Sequence, residues 1–130
     1  MTDVDDAVRK RIASDAFCET VGIELSSLEP GRAETALTVE ERHLNFHGTP
    51  HGGAVYALAD AAFAAASNSR GETAVALETN VSYLAAAAVG DRLTAVAEET
   101  HAGGSTAEYS VEVTGEDERV ATFRGRVYRP

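Results

Sequence analysis

HLNFHGTPHGGAVYALADAAFAAASNSR, residues 43–70, decides how the rest of the chain is read. It opens as a loop of His, Asn, Gly and Pro and becomes sixteen residues, 53–68, of helical character. Ten of these are Ala, Val or Leu and two are aromatic. A helix that is apolar nearly all round is predicted to be buried. Asp60 breaks the pattern, and no Lys or Arg stands between it and Arg70. An ionised carboxylate among apolar neighbours is costly unless hydrogen-bonded or paired, and its pKa tends to rise. Packing alone would be served by another Ala. Asp60 is therefore the first candidate for chemistry, and a buried carboxylate bonded to Ser, Thr or Tyr of a neighbouring strand is the alternative.

Outward from this helix the chain reads as strands. Residues 23–29 and 32–40 flank Glu29-Pro30-Gly31-Arg32, whose Pro and Gly mark a type II turn. Ala33, Thr35, Leu37 and Val39 fall on one face. Beyond Gly71 come segments 73–84, 91–101, 105–114 and 119–128, with turns at Gly90-Asp91, Gly103-Gly104 and residues 115–118. The first of them sets Val75, Leu77, Thr79, Val81 and Tyr83 on one face. Such alternation over hairpin-spaced runs predicts an antiparallel sheet with one face covered. Residues 2–17 are predicted as a short amphipathic helix, capped by Thr2, with Val4, Val8 and Ile12 four apart. The expectation is one α+β domain over residues 1–130, six antiparallel strands around one long apolar helix, plus the N-terminal helix.

Composition narrows the function. A formal net charge of −10 and no basic stripe argue against a nucleic-acid partner. The single cysteine, Cys18, excludes an internal disulfide and a Cys-based metal cage. The N-terminus is polar and acidic, and the apolar helix is short of the roughly 20 residues a membrane span needs. A soluble, cytoplasmic protein is expected. One lysine against ten arginines in an acidic chain resembles proteins of salt-adapted organisms, although a G+C-rich genome produces the same bias.

Gly52 and Gly53 stand where the loop becomes helix. The first N–H groups of a helix lack intrahelical partners and carry the positive end of its dipole, so an oxygen can approach them where no side chain intervenes. The pair serves equally for a tight bend and close packing. Eight residues of helix put Gly52 and Asp60 roughly 12 Å apart, whereas a base or nucleophile acts within about 3 Å. If both are catalytic, they belong to different chains of a dimer with its helices side by side. His43, His47 and His51 are four apart, but Gly48, Thr49 and Pro50 interrupt any helix between them, and no metal site is expected. His101 reads as a surface residue. Arg124, Arg126 and Arg129 read as a solvated face balancing nearby acids, with contact to substrate phosphates as the alternative.

The run HLNFHGTPHGGAVYALAD resembles the signature of hotdog-fold acyl-CoA thioesterases of the phenylacetate-degradation type. It has an Asn, a Gly, His-Gly-Gly, then Leu-Ala-Asp, the Asp nine residues after that His. Val21-Gly22-Ile23, Pro30 to Ala33, Tyr83-Leu84 and Gly90-Asp91 extend the resemblance over nearly the whole chain. It implies a hotdog fold and hydrolysis of a CoA thioester, of an aryl-acetyl or a short to medium acyl group, to free CoA and an acid. Asp60 would be nucleophile or general base, and Gly52 N–H would polarise the carbonyl from the partner chain. Asn45 and His51 would orient water and thioester, with Gly53 and Thr79 touching substrate. It further implies a homodimer assembling into a homotetramer, with no metal and no cofactor beyond the CoA of the substrate. Two departures stand out: Ala85 to Ala88 where relatives often have a basic residue and Pro, and Ala76-Leu77-Glu78-Thr79 where they often carry a Ser, so that either Thr79 substitutes for it or Glu78 alters the charge of the site. A non-catalytic acyl-CoA-binding sensor and a hotdog hydratase are the competing readings.

Overall fold

The computed structural model describes residues 3–130. Among them are three α-helices, α1 (Asp6–Ala13), α2 (Ala16–Val21) and α3 (Gly52–Ser67). The six strands are β1 (Glu24–Glu29), β2 (Arg32–Thr38), β3 (Val75–Tyr83), β4 (Arg92–Ala102), β5 (Thr106–Thr114) and β6 (Arg119–Tyr128). They form one antiparallel sheet in the order β1-β2-β4-β5-β6-β3. The sheet curls round α3, whose Leu58, Ala59, Ala62, Phe63 and Ala66 are buried against it. This is the expected hotdog: an α+β fold, six strands wrapped around one helix.

The inward faces follow the alternation in the sequence. Ala33, Thr35 and Leu37 of β2 and Ala107, Tyr109, Val111 and Val113 of β5 are buried. Small side chains at these positions let the sheet approach the helix. At Gly125 of β6 the fit is tightest, since a Cβ there would lie 2.6 Å from Phe63 Cζ. Beyond the helix, Glu99 accepts hydrogen bonds from Tyr109 Oη (2.8 Å) and Arg70 (3.0 Å). Burial works against the Glu99 carboxylate, but these bonds outweigh it and hold its pKa below the ordinary value.

Three expectations are corrected. The N-terminal segment is two short helices, not one. Ser14 and Asp15 break it because Asp15 accepts a hydrogen bond from Cys18 N (3.0 Å) and starts α2, while Asp5 caps α1. Thr2, expected as the cap, lies outside the described residues. Next, β3 does not keep one face throughout. A bulge between Ala76 and Glu78 shifts the register, so Val75 pairs with outward-facing Tyr128, whereas Thr79, Val81 and Tyr83 share the helix side with Gly125, Phe123 and Ala121. Finally, α3 is not buried all round. Gly53 and Ala64 are exposed, and Ala57, Asp60 and Ala61 only partly covered, leaving a strip of small residues open along one side.

Candidate active site

The loop before α3 is built on its own side chains. Asn45 Oδ1 accepts hydrogen bonds from His47 N (2.9 Å), Thr49 N (3.2 Å) and Thr49 Oγ1 (3.1 Å), closing the chain on itself. Its amide N–H groups have no hydrogen-bond partner among the described residues. His43 is structural: Nδ1 accepts from Glu40 N (2.9 Å) and Nε2 donates to Val21 O (2.6 Å). His47 packs edge-on against Phe46. No group of three metal-ligating side chains occurs among the described residues.

His51 is the N-cap of α3, and its Nδ1 accepts from Gly53 N (2.8 Å). Gly53 thus spends its donor on the cap. Gly52 N–H has no hydrogen-bond partner among the described residues. It sits in the first turn of a sixteen-residue helix, at the positive end of the dipole. Tyr83, at the end of β3, donates from Oη to Gly52 O (3.0 Å). Its ring is so close that a Cβ on Gly52 would lie 3.2 Å from Cζ. An apolar pocket of about 270 Å³ opens beside them, lined by Pro50, Val55, Tyr83, Ala85, Ala86 and Ala87 among others.

Two turns along, Asp60 lies on the open strip of α3. Neither a hydrogen bond nor an ion pair reaches its carboxylate among the described residues. Burial, and then the negative charge of Asp15, the N-cap of α2, raise its pKa above the ordinary carboxylate value. Cys18 shares this neighbourhood. Burial first, then Asp15 and finally Asp60 push its thiol up to about 11, so at neutral pH it is a protonated thiol and a poor nucleophile. A cavity of about 320 Å³ lies between α1–α2 and α3, lined in part by Arg11, Asp15, Cys18, Thr35, Ala64 and Asn68.

The candidate residues thus fall into two groups on one chain. Asn45, His51, Gly52 and Gly53 gather at the start of α3. Asp60 stands apart, and because Gly52 and Asp60 share one continuous helix their separation is the roughly 12 Å that helical rise requires. Thr79 lies between the groups, its Oγ1 2.6 Å from Tyr56 Oη. Glu78, one residue earlier, is on the outer face of the sheet beside Arg126 (3.3 Å). Arg124 is likewise paired, with Glu108, on a solvated face, whereas Arg129, paired with Glu72, is largely buried. His101 is exposed.

Tyr56 and Asp15 have no part in the reading of the sequence, and Tyr83 enters it only as a strand-face position and part of the resemblance, not as a neighbour of Gly52. Tyr56 had a readable signal, since Gly52, Tyr56 and Asp60 are spaced four apart along one helix face. Tyr83 shares its strand face with Thr79. Nothing in the sequence brings Asp15 to Asp60.

Known proteins share this fold and much of this sequence. Residues 47–122 match the thioesterase superfamily. The acyl-coenzyme A thioesterase PaaI of Escherichia coli K12 is 39% identical over 117 residues, covering 89% of this chain and 84% of that protein. The TT0310 protein of Thermus thermophilus superposes with a TM-score of 0.86 at 47% identity, covering 89% of this chain and 98% of that one. A hypothetical thioesterase of Streptococcus pneumoniae TIGR4, determined with coenzyme A, gives 0.78 at 26% identity, covering 82% and 87%. With its hotdog architecture and that family match, this chain belongs to the thioesterase superfamily, as a relative of the acyl-CoA thioesterase PaaI.

Proposed function

We propose that this protein is an acyl-CoA thioesterase whose active site is shared between two protomers. The reading is carried by one observation: a carboxylate with no partner and a helix-terminal N–H with no partner, among the described residues, lie on the same helix, too far apart to serve one carbonyl. A second copy laid antiparallel along the open strip of α3 would bring Asp60 of one protomer to Gly52 of the partner subunit. Small residues at Gly53, Ala57 and Ala64 suit that approach. So does β3, an edge strand whose Val75, Leu77 and Tyr83 are 48%, 52% and 52% exposed, since uncovered apolar edges favour pairing with another chain. The relatives' acyl-CoA chemistry and the coenzyme A held by the streptococcal protein indicate the substrate class. Homodimers are proposed to pair further into a tetramer.

In the reaction, Asp60 takes a proton from water as the oxygen adds to the thioester carbon. Negative charge gathers on the carbonyl oxygen, where Gly52 N–H and the helix dipole stabilise it. The tetrahedral species collapses by breaking the C–S bond, and the thiolate leaves with the proton Asp60 had accepted. The alternative course has Asp60 add directly and break the C–S bond, expelling the CoA thiolate and leaving a mixed anhydride; water then cleaves the anhydride, and the proton it releases neutralises the thiolate. In both, Asn45 and His51 orient the loop and the reacting groups, and Thr79 faces the substrate. The acyl group is aryl-acetyl or short to medium aliphatic, and the apolar pocket of about 270 Å³ beside Gly52 is one place for it.

The test is thiol release from a panel of acyl-CoA esters by the native chain and by Asp60→Asn. Turnover is expected from the native chain alone, with a loss of at least a thousandfold in the variant and CoA affinity retained. Tight binding with no turnover by either protein would make the chain an acyl-CoA sensor and Asp60 a structural carboxylate.

A further inference from the structure

The chain's cations are almost all committed. Nine of the ten arginines lie within 4.0 Å of a carboxylate, spread over ten ion pairs. Among the described residues only Arg11 and its neighbour Lys10, both exposed in the last turn of α1, have no acidic partner. Complementing the α1 dipole explains their sign. It does not explain why Arg11 forms part of the wall of the cavity beside Asp15, Cys18 and Ala64.

The proposed substrate carries several negative charges, and a chain of net charge −10 repels such a ligand at long range. A local cation must offset that repulsion. The pocket beside Gly52 offers none, being lined by Thr49, Pro50, Val55, Tyr83 and the Ala85–Ala87 run without any charged side chain. The cavity on the Asp60 side has one cation in its wall, Arg11. Its wall also carries the carboxylate of Asp15, whose charge is felt by Asp60, so an anion seated there without Arg11 would meet only repulsion.

We propose that Arg11, seconded by Lys10, is the anion-binding subsite of this enzyme, holding an anionic oxygen cluster of the acyl-CoA at the mouth of the cavity beneath α1 and α2. The planar guanidinium presents paired donors to either a phosphate or a carboxylate. That shared chemistry has two sources in an acyl-CoA: the phosphates of coenzyme A, and a terminal carboxylate on a dicarboxylic acyl group. The proposal rests on the acyl-CoA reading above; the calorimetric arm of its test also needs Asp60 to perform the chemistry, and the KM arm does not.

It is tested by calorimetric titration in the Asp60→Asn background, which keeps thioesters intact, with KM measured in parallel on chains that retain Asp60. The probes are butyryl-CoA, glutaryl-CoA and S-butyryl-pantetheine, compared for the native Arg11, Arg11→Gln, Arg11→Lys and Lys10→Gln. No side chain of α1 is buried, so these substitutions leave the core untouched. Arg11→Gln is expected to weaken binding about tenfold, as the loss of a charge-assisted hydrogen bond does. Arg11→Lys should restore part of it, and Lys10→Gln should cost less. Weakening of both CoA esters with the pantetheine ester unchanged assigns the subsite to coenzyme A phosphate. Weakening of glutaryl-CoA alone assigns it to an acyl carboxylate. Equal affinities for all probes in native and Arg11→Gln chains overturn the proposal while leaving the thioesterase reading intact. If the Arg11-native chain neither binds nor turns over any acyl-CoA, the acyl-CoA reading itself fails, and this proposal with it.

Discussion

Asp60 is tuned by where it sits. Burial and the Asp15 charge both disfavour its ionised form, so its pKa lies above the ordinary 3.8. In the proposed mechanism the working form is the carboxylate, so activity is expected to fall as pH drops through that raised value. Asp15→Asn removes one of the two causes and, since Asn caps helices about as well as Asp, should leave α2 in place. The acid limb of the kcat/KM profile is therefore expected to move to lower pH in Asp15→Asn. The same substitution relieves Cys18, whose thiol is raised to about 11 partly by Asp15. Iodoacetamide should alkylate Cys18 slowly in the native chain at mildly alkaline pH and faster in the variant. A limb that stays where it was, with unchanged alkylation, would mean that Asp15 does not act on this site.

At the level of elements, two contacts fix α3 in its sheet, and each makes a separate prediction. Phe63 leaves no room for a side chain at position 125, so Gly125→Ala forces the ring or β6 to move. Overpacking of this kind costs about 1–3 kcal/mol, measurable as a lowered midpoint in urea. Combining it with Phe63→Leu should cost less than the two changes added, because both act on one contact. Tyr83 holds the other end, by its bond to Gly52 O and its ring against Gly52 Cα. Tyr83→Phe keeps the packing and removes the bond, so kcat should fall about fivefold, the value of a hydrogen bond near 1 kcal/mol, with KM little changed. A rise in KM at constant kcat would place Tyr83 in substrate binding instead. These contacts also show where reading the sequence stopped. Alternation gave the inward faces of β2 and β5, and the lone Asp in an alanine helix gave Asp60, because both are local patterns. The β3 bulge, the break at Ser14-Asp15 and the approach of Tyr83 to Gly52 depend on neighbours far along the chain or on one side chain's choice of cap, which no local pattern encodes.

For the molecule as a whole, the decisive property of the proposed site is that neither chain is complete. Asp60 and Gly52 are fixed at opposite parts of one rigid helix, so no loop movement brings them together. Two inactive variants should therefore rescue each other. Asp60→Asn leaves Gly52 intact. Gly52→Val leaves Asp60 intact but fills the space against Tyr83, where even a Cβ is tight at 3.2 Å. In a mixed dimer, Asp60 from the second variant meets Gly52 from the first and makes one sound site, while the other site carries both lesions. Random reassociation makes half the dimers mixed, so co-refolded variants should recover about a quarter of native activity. The same mixture without refolding should stay inactive until subunits exchange. Activity equal to the sum of the separate variants would show that each chain works alone. In that case the roughly 12 Å of helix between Gly52 and Asp60 would leave Asp60 acting with some donor other than Gly52, and the open strip of α3 would lose its catalytic explanation.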